Sequence, residues 1–390
     1  MASPAHRRVS GIVLSALLAL SLALPSSAPA DAAAAPPRHP VTASAPEAVR
    51  HKPKHKPKHR PKPKPRPKPK HPKPKPKPKP KPKPKPPAPK PAAVPPLPTV
   101  FGLETSDAHL GATEALLGIV PGIRAFFVAS GAPLPLTRLR AIRSQGSIPM
   151  ISWQPAGTMD AIAAGAQDAA VDAAAATLAA YGHPVYLRLW PEMNTPWEPY
   201  SFGAAGNTPG NTPQTLVAAW QRVVSVMRRR VPTDIQFVWN PGYSGTKNDL
   251  ADMWPGDDYV DYVGVDAYDW CLQDTWCPGA RYRYLPMLKA IRAFAGPDVY
   301  ALLGEVGTGT VNLKASWLDS LLRNAATDSI RAVVYFDQRI APGEPDWQLD
   351  ASPPSAVPFF RKSLKLPHIA TTDRYPLERI EYYATHGQWP

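Results

Sequence analysis

Eight short apolar runs alternate with helix-forming segments between residues 99 and 390, and this alternation predicts an α/β fold, a (β/α)8 TIM barrel. The runs are apolar almost throughout, as expected of parallel strands buried on both faces. An open, doubly wound sheet is the alternative, but the first run is not followed by the glycine spacing of a phosphate-binding loop. The eight runs are VFGLET (100–105), AFFVAS (125–130), IPMISW (148–153), VYLRLW (185–190), IQFVWN (235–240), YVGVDAY (262–268), VYALLGE (299–305) and AVVYFD (332–337).

Helix signals occupy most of the gaps between these runs. Residues 158–182 are rich in alanine and end at a glycine, which favours a helix over that segment. A second helix is predicted from Thr212, a suitable N-cap, followed by Pro213 at the first helical position. Residues 283–296 and 313–326 supply two more helical segments.

The first 30 residues have the pattern of a secretory signal peptide. Arg7 and Arg8 precede an apolar core at residues 11–24, and APA ending at Ala30 fits a cleavage site of small residues. The apolar core is shorter than the about 20 residues that a membrane span requires. We therefore expect residues 1–30 to be a signal peptide and the protein to be secreted, without a membrane span.

Residues 31–98 are predicted to be a disordered linker rich in proline and lysine. Within it, residues 51–90 hold 18 Lys or Arg and no acidic residue, mostly as alternating Lys-Pro. Proline removes backbone donors and like charges repel, so this stretch is expected to be extended. It would serve as a spacer or as a polycation that binds an anionic cell-wall polymer. Nucleic acid is not an expected partner of a secreted chain.

The positive charge of the protein is confined to its N-terminal part. The whole chain has a formal charge of +15, but residues 91–390 hold 23 basic and 28 acidic side chains. Cys271 and Cys277 are predicted to form a disulfide, because a secreted chain with two nearby cysteines favours this pairing over a metal site. The bond would stiffen the loop after the sixth strand, where Trp270 and Trp276 could contact a distant sugar or pack within the loop.

Active-site groups of such a barrel collect at the carboxyl ends of its strands. The residues at those ends combine carboxylates, aromatic rings and hydrogen-bonding groups, a combination typical of a sugar site. They are Glu104, Trp153, Arg188, Trp190, Glu192, Trp239, Asn240, Asp266, Tyr268, Glu305 and Asp337. A retaining glycosidase needs two carboxyl groups about 5–5.5 Å apart. Glu192 and Glu305, ending strands four and seven, are predicted to face each other across the mouth of the barrel.

The motifs around these residues resemble glycoside hydrolase family 26. VYLRLWPEMNTPWEPYSFG, VGVDAYDW and ALLGEVGTG carry the resemblance, with PMISWQP upstream and YFDQ and DWQL downstream. The family contains β-mannanases, some lichenase-type β-glucanases and β-1,3-xylanases. It implies a retaining barrel enzyme whose acid/base follows strand four and whose nucleophile follows strand seven.

The resemblance assigns roles to particular residues of this chain. It implies that Glu192 is the acid/base and Glu305 the nucleophile, that Arg188 orients the site and that Tyr268 donates a hydrogen bond to the nucleophile. Trp153, Trp197 and Trp347 are implied to stack on sugar rings, and Asn240 is a further candidate for substrate binding. Glu104 and Asp337 are expected to support the site through hydrogen bonds or to contact substrate.

One position departs from the family pattern. Mannanases of the family usually have a histidine directly before the acid/base glutamate, whereas this chain has Pro191. We expect a secreted, monomeric, retaining endo-β-glycanase that acts on β-mannan without a metal or organic cofactor. The alternatives are a related barrel glycosidase acting on β-1,3- or mixed-linkage glucan or xylan, and a non-catalytic wall- or carbohydrate-binding protein. The chain after about residue 366 is not needed for eight strands.

Overall fold

The computed structural model describes residues 97–201, 208–243, 250–270, 278–340 and 345–390, so the predicted signal peptide and most of the Lys-Pro linker lie outside it. Eight parallel strands form a closed ring in which each pairs with its neighbour and β1 pairs with both β2 and β8, confirming the predicted barrel. The strands are β1 (Thr99–Glu104), β2 (Ile123–Phe127), β3 (Ile148–Trp153), β4 (Val185–Leu189), β5 (Ile235–Trp239), β6 (Tyr262–Asp269), β7 (Ala301–Thr308) and β8 (Ile330–Phe336).

Helices separate most of these strands along the chain. Within the described residues the helices are α1 (Leu110–Leu117), α2 (Leu136–Ser144), α3 (Met159–Ala163), α4 (Asp168–Tyr181), α5 (Pro213–Arg228), α6 (Ala280–Ala295), α7 (Lys314–Thr327), α8 (Val357–Leu364) and α9 (Leu377–His386). Short 3-10 turns occur at Ala251–Met253, Asp257–Tyr259, Val311–Leu313, Leu349–Ala351 and Pro354–Ala356.

The start of α5 shows how the local sequence sets an element boundary. The Thr215 backbone N–H donates to Thr212 Oγ1 at 3.1 Å, and Thr215 Oγ1 in turn accepts from the Thr212 N–H at 2.8 Å. Pro213 follows the cap, where its missing N–H costs no hydrogen bond. The N-cap predicted at Thr212 is therefore confirmed.

The alanine-rich segment is two helices rather than one. α3 ends at Ala163 and α4 begins at Asp168, with Gly165 at φ 93° between them. A left-handed backbone interrupts the regular hydrogen bonding of a helix, and glycine adopts it with little strain. The alanine content of the segment predicted helix correctly, but its internal glycine divides it.

Side chains of alternate strand residues fill the barrel interior, and the opposite faces pack against the helices. The interior core includes Val100, Ile148, Tyr186 and Leu302, all with less than 2% of their surface exposed. Burial of such side chains stabilises each by roughly 1.5–3 kcal/mol relative to exposure. The interior of the described barrel is therefore a packed core, and its ligand-binding groups are expected at the strand ends.

The C-terminal segment covers the end of the barrel away from those strand ends. A two-residue strand, β9 (Ile369–Ala370), pairs with β1 at Thr99 and Val100. The Tyr383 hydroxyl of α9 donates to the Pro98 carbonyl, and the Tyr262 hydroxyl donates to the Ala384 carbonyl, both at 2.8 Å. This segment thus closes the amino-terminal end of the barrel. None of the described helices is both long and apolar enough to cross a membrane.

Candidate active site

The centre of the barrel mouth is a buried arginine held between two carboxylates. Arg188 lies on β4 and is fully buried, and its Nη1 donates to Glu305 Oε1 at 2.8 Å while its Nη2 donates to Asp266 Oδ2 at 3.1 Å. Asn240, at the end of β5, donates from Nδ2 to the same Asp266 oxygen at 2.9 Å. Burial lowers the pKa of Arg188, but the charges of Asp266 and Glu305 outweigh that effect, so the guanidinium stays charged.

Two glycines leave the space that this network occupies. A Cβ added at Gly264 would lie 2.1 Å from Asn240 Oδ1, and one at Gly304 would lie 2.3 Å from the same atom. Both distances are far shorter than the non-bonded contacts that real Cβ atoms make with oxygen. The sequence VGVD on β6 and LGEV on β7 therefore contains glycine because the Arg188 network lies directly against those strands.

A bulge between β6 and β7 aligns the nucleophile candidate with this network. The register shifts between Val265 and Asp266, after which Asp266 lies opposite Glu305. Bulges redirect side chains and are common beside active sites. The Tyr268 hydroxyl donates to Glu305 Oε2 at 2.7 Å, so Arg188 and Tyr268 each hold one carboxylate oxygen of Glu305. The predicted partners of Glu305 are thus in contact with it.

Glu192 follows β4 in a backbone conformation that few side chains adopt. Trp190 and Glu192 have φ values of 44° and 55°, on either side of Pro191. Such residues cost about 1–3 kcal/mol each and are found mostly at functional sites. The Glu192 N–H donates to the Asn240 carbonyl at 2.7 Å, and Asn194 holds the adjacent loop through two hydrogen bonds with Gly242. These contacts maintain the strained turn.

The carboxyl group of Glu192 has the environment of a proton donor. Trp197 Nε1 donates to Glu192 Oε2 at 2.6 Å, and the side chain is buried. Burial, followed by the nearby charge of Glu305, raises the pKa of Glu192 to about 8, although the Trp197 hydrogen bond and Arg188 partly oppose this. Glu192 therefore holds its proton at neutral pH.

The ring order refines the expected positions of the two glutamates. β5 and β6 lie between β4 and β7, so these strands are three steps apart in a ring of eight rather than directly opposite. Glu192 and Glu305 still lie near each other, since the charge of Glu305 raises the pKa of the Glu192 carboxyl group.

A third buried carboxyl group beside Glu192 was missed by the sequence interpretation. Glu198 is 1% exposed, and its Oε1 has no hydrogen-bond partner in the described part of the protein. Burial is the main reason why the pKa of Glu198 is raised to about 8. Its place in the segment PEMNTPWEPY, six residues after Glu192, was the signal available in the sequence. Asp266 was recognised only as a strand-end residue, not as a partner of Arg188.

Two tryptophans predicted to stack on sugars are instead packing residues. Trp153 is 1% exposed and donates from Nε1 to the Ala132 carbonyl at 3.0 Å. Trp347 is fully buried, with its ring centroid 5.1 Å from that of Tyr268 and 5.0 Å from that of Trp270. Neither ring presents a face to solvent, so a stacking role is not supported. Trp197 is half-buried beside Glu192, and its sugar contact stays a prediction.

The remaining predicted site residues support the mouth from below or outside. Asn240 is fully buried and bonds Asp266, so it is placed to orient the network. Asp337 accepts from the Thr113 hydroxyl at 2.6 Å and from the Leu349 N–H at 2.7 Å, a supporting role.

Cys271, Cys277 and Trp276 lie outside the described residues. Among the described residues, no group of three or more His, Cys, Asp or Glu side chains could hold a metal ion.

Comparison with known proteins agrees with this geometry. The model of glycosyl hydrolase family 26 matches residues 153–294, which include Arg188, Glu192 and Tyr268. The chain carries a glycosyl hydrolase family 26 domain. Endoglucanase H of Acetivibrio thermocellus is 28% identical over 233 residues, which are 57% of this chain and 25% of that protein. The beta-1,3-xylanase TXYA of a Vibrio species is 30% identical over 115 residues, 29% of this chain and 23% of that protein.

Solved family 26 structures share the fold of this domain. The catalytic domain of an endo-beta-1,4-mannanase from Bacillus sp. JAMB-750 aligns with a TM-score of 0.54 at 15% identity, covering 74% of this chain and 90% of that one. A beta-mannanase from Bacteroides ovatus aligns with a TM-score of 0.52 at 16% identity, covering 72% and 92%. The chain spans only about a quarter of the length of the curated relatives, and the solved structures, at 15–16% identity, show the fold alone.

Proposed function

We propose that this family 26 domain hydrolyses internal β-glycosidic bonds of a polysaccharide by a retaining, double-displacement mechanism. One observation carries the proposal: a buried glutamate that holds its proton at neutral pH, Glu192, shares the barrel mouth with a second glutamate, Glu305, whose oxygens are both bound by donors. An acid and a fixed nucleophile are the two groups that a retaining glycosidase needs.

In the first step Glu192 gives its proton to the departing glycosidic oxygen. Glu305 attacks the anomeric carbon with its carboxylate, and the sugar becomes esterified to Glu305. Arg188 and Tyr268 hold the attacking carboxylate in one orientation, and Asp266 and Asn240 hold Arg188. Fixing the reacting groups in this way lowers the entropic part of the activation free energy of the reaction.

In the second step the ionised Glu192 takes a proton from water, and that water attacks the anomeric carbon. The bond to Glu305 breaks, and the sugar leaves with its original configuration. The Trp197 hydrogen bond favours the charged form of Glu192, which this step requires. The same side chain thus acts first as acid and then as base.

Within this class, β-mannan is the proposed substrate. The solved relatives described as mannanases support it, whereas the names of the curated relatives point to β-glucan and β-1,3-xylan as alternatives. Pro191 removes the side chain that mannanases of the family usually place before the acid/base. We further propose that the protein is secreted and that its Lys-Pro stretch binds anionic wall polymers or spaces the domain from them.

Reducing-sugar release from galactomannan, glucomannan, mixed-linkage glucan and β-1,3-xylan tests the activity and identifies the polymer. The proposal expects release from at least one of them, lost in Glu192→Gln and Glu305→Gln but retained in the exposed-surface control Glu378→Gln. If the wild-type protein releases sugar from none of these polymers yet binds one, a non-catalytic carbohydrate-binding protein is the better account.

A further inference from the structure

A buried lysine joins two segments that lead to the nucleophile candidate. Lys314, the first residue of α7, is fully buried, and its Nζ donates to the Thr308 carbonyl and to the Asp346 carbonyl, both at 2.6 Å. Thr308 ends β7, the strand that contains Glu305, and Asp346 lies in the segment after β8. One ammonium group therefore connects the end of β7 to that segment.

Packing alone does not explain a charged group at this position. An ammonium group costs free energy when it leaves water, and an apolar side chain of similar length would fill the space without that cost. Burial lowers the pKa of Lys314 to about 8, and the charges of Asp346, Asp337 and Asp350 partly oppose this effect. The ammonium is therefore charged at neutral pH, and hydrogen bonds from a charged donor are stronger than those from a neutral one.

The residue that follows Asp346 is Trp347, and its ring lies against Tyr268. The two ring centroids are 5.1 Å apart, with an angle of 60° between the ring planes. A Cβ added at Gly307 would lie 3.0 Å from Trp347 Cε3 and 3.3 Å from Tyr268 Cδ1, so both rings cover β7 at that glycine. Gly307 is two residues after Glu305, and residues two apart in a strand face the same side of the sheet. The two rings therefore lie beside Glu305.

Trp347 is held from both sides along the chain. The Tyr335 hydroxyl donates to the Trp347 carbonyl at 3.0 Å. On the other side, Arg339 donates to the Asp346 carboxylate at 2.6 Å, but Arg339 is 64% exposed, and such surface ion pairs contribute little. Lys314 thus supplies the buried contact that fixes the backbone directly before Trp347.

We propose that Lys314 is a positioning residue for the nucleophile candidate Glu305. By holding the Asp346 backbone, Lys314 keeps Trp347 in place. Trp347 in turn supports Tyr268, whose hydroxyl donates to Glu305 Oε2 at 2.7 Å. This inference rests on the proposed function, and it adds to that function a residue that acts only through other side chains.

A double-mutant cycle tests this path, with kcat/KM measured at pH 6.5 on a substrate that the wild-type protein cleaves. Lys314→Met removes the ammonium group but keeps a long, unbranched side chain. It should lower kcat/KM by about tenfold in the wild-type background, because a displaced reacting group slows the reaction. In the Tyr268→Phe background the same change should cost less than about threefold, since two residues that act on one group are not additive. Equal fold losses in both backgrounds would overturn the inference.

The matched control is Tyr383→Phe, which also removes a donor to a backbone carbonyl. The Tyr383 hydroxyl donates to the Pro98 carbonyl at 2.8 Å, at the opposite end of the barrel. This control should lower the melting temperature and leave kcat/KM unchanged. A Lys314→Met variant with the kcat/KM of the control would have lost stability alone, which would also overturn the inference. If Lys314→Met does not fold, Lys314→Gln, which keeps an N–H donor, replaces it in the cycle and is judged by the same results.

The indole N–H signal of Trp347 separates failure of the inference from failure of the proposed function. It is observed by NMR in protein labelled at the tryptophan nitrogens, and Trp347→Phe assigns it. Lys314→Met should shift this signal but not that of Trp153, which donates to the Ala132 carbonyl. If the wild-type protein cleaves nothing and the signal shifts, the path from Lys314 to Trp347 stands and the hydrolytic proposal fails. Cleavage with an unshifted Trp347 signal would refute the inference alone, and absence of both would refute both.

Discussion

Arg188 donates to Glu305 at 2.8 Å with both side chains buried, and this ion pair fixes the nucleophile candidate in the mouth of the barrel. Asp266 shares the same guanidinium at 3.1 Å. Glu104, Glu192 and Glu198 are buried nearby, and burial raises the pKa of all three. The cluster is therefore organised around one charged arginine, and burial favours the neutral form of the three carboxyl groups around it.

Replacing Arg188 should affect stability and activity to different extents. Arg188→Ala leaves Glu305 and Asp266 buried without their cation, and loss of one partner of a buried pair costs about 3–5 kcal/mol. Arg188→Lys keeps the charge but cannot donate to both carboxylates with a planar fork. We expect the lysine variant to fold and to lose about 10- to 100-fold in kcat, in the range of other positioning contacts. Urea denaturation and initial rates measure the two effects, and unchanged stability in Arg188→Ala would contradict this role.

Removing the Tyr268 hydroxyl should lower catalysis more than stability. Tyr268→Phe deletes the 2.7 Å hydrogen bond to Glu305 Oε2, leaving Arg188 as the remaining donor to that carboxylate in the described cluster. A hydrogen bond to a charged group contributes about 1.5–3 kcal/mol, which corresponds to roughly a 10- to 100-fold change in rate. Tyr382→Phe on exposed α9 is the control. A kcat equal to that of the control would rule out a role for the hydroxyl in holding the nucleophile.

The pH dependence of kcat/KM should show an alkaline limb near pH 8. Glu192 must be protonated to act as acid, and its pKa is raised to about 8. Glu198 ionises in the same pH range, and its charge then raises the pKa of Glu192, so Glu198→Gln should move the limb to lower pH. Rates on a polymer or oligosaccharide between pH 4 and 10 provide the measurement. A limb that stays in place in Glu198→Gln would show that Glu198 does not act on Glu192.

The raised pKa of these buried glutamates also makes the free energy of unfolding fall as pH rises. Glu198 has a folded-state pKa of about 8, whereas an unfolded glutamate has a pKa of about 4.3. Between these values the folded state binds more protons, so each group reduces the free energy of unfolding by up to about 1.4 kcal/mol per pH unit. Glu198→Gln should therefore gain stability relative to wild type as pH rises from 4 to 8. Chemical denaturation across this range tests it, with Glu378→Gln as control, and a pH-independent difference would contradict the assignment.

The sequence predicted those features that depend on local composition. Continuous apolar runs identified all eight strands, and the groups ending β4, β6 and β7 include the residues that meet in the site. Features that depend on packing were not accessible in this way. Trp153 and Trp347 end buried because neighbouring residues cover their rings, and Glu198 enters the cluster because its loop folds back beside Glu192.

Single glycine and proline residues also mark local structure that the surrounding sequence pattern did not predict. Gly165 divides the alanine-rich segment into α3 and α4, although composition favoured one helix. Pro191 lies between two residues with positive φ, a conformation that the strand pattern before it could not indicate. Gly264 and Gly304 are explained only by the structure, in which the Asn240 side chain fills the space beside both of them.

Glu192 and Glu305 are proposed to act as a retaining pair, and the configuration of the first product tests this role most directly. The polymer found to be cleaved is replaced by its β-linked oligosaccharide, and proton NMR follows the new reducing end during the first minutes of reaction. Two displacements at the anomeric carbon predict that the β-anomer forms first and then equilibrates with the α-anomer. Initial formation of the α-anomer would mean inversion, and would contradict the role of Glu305 as nucleophile.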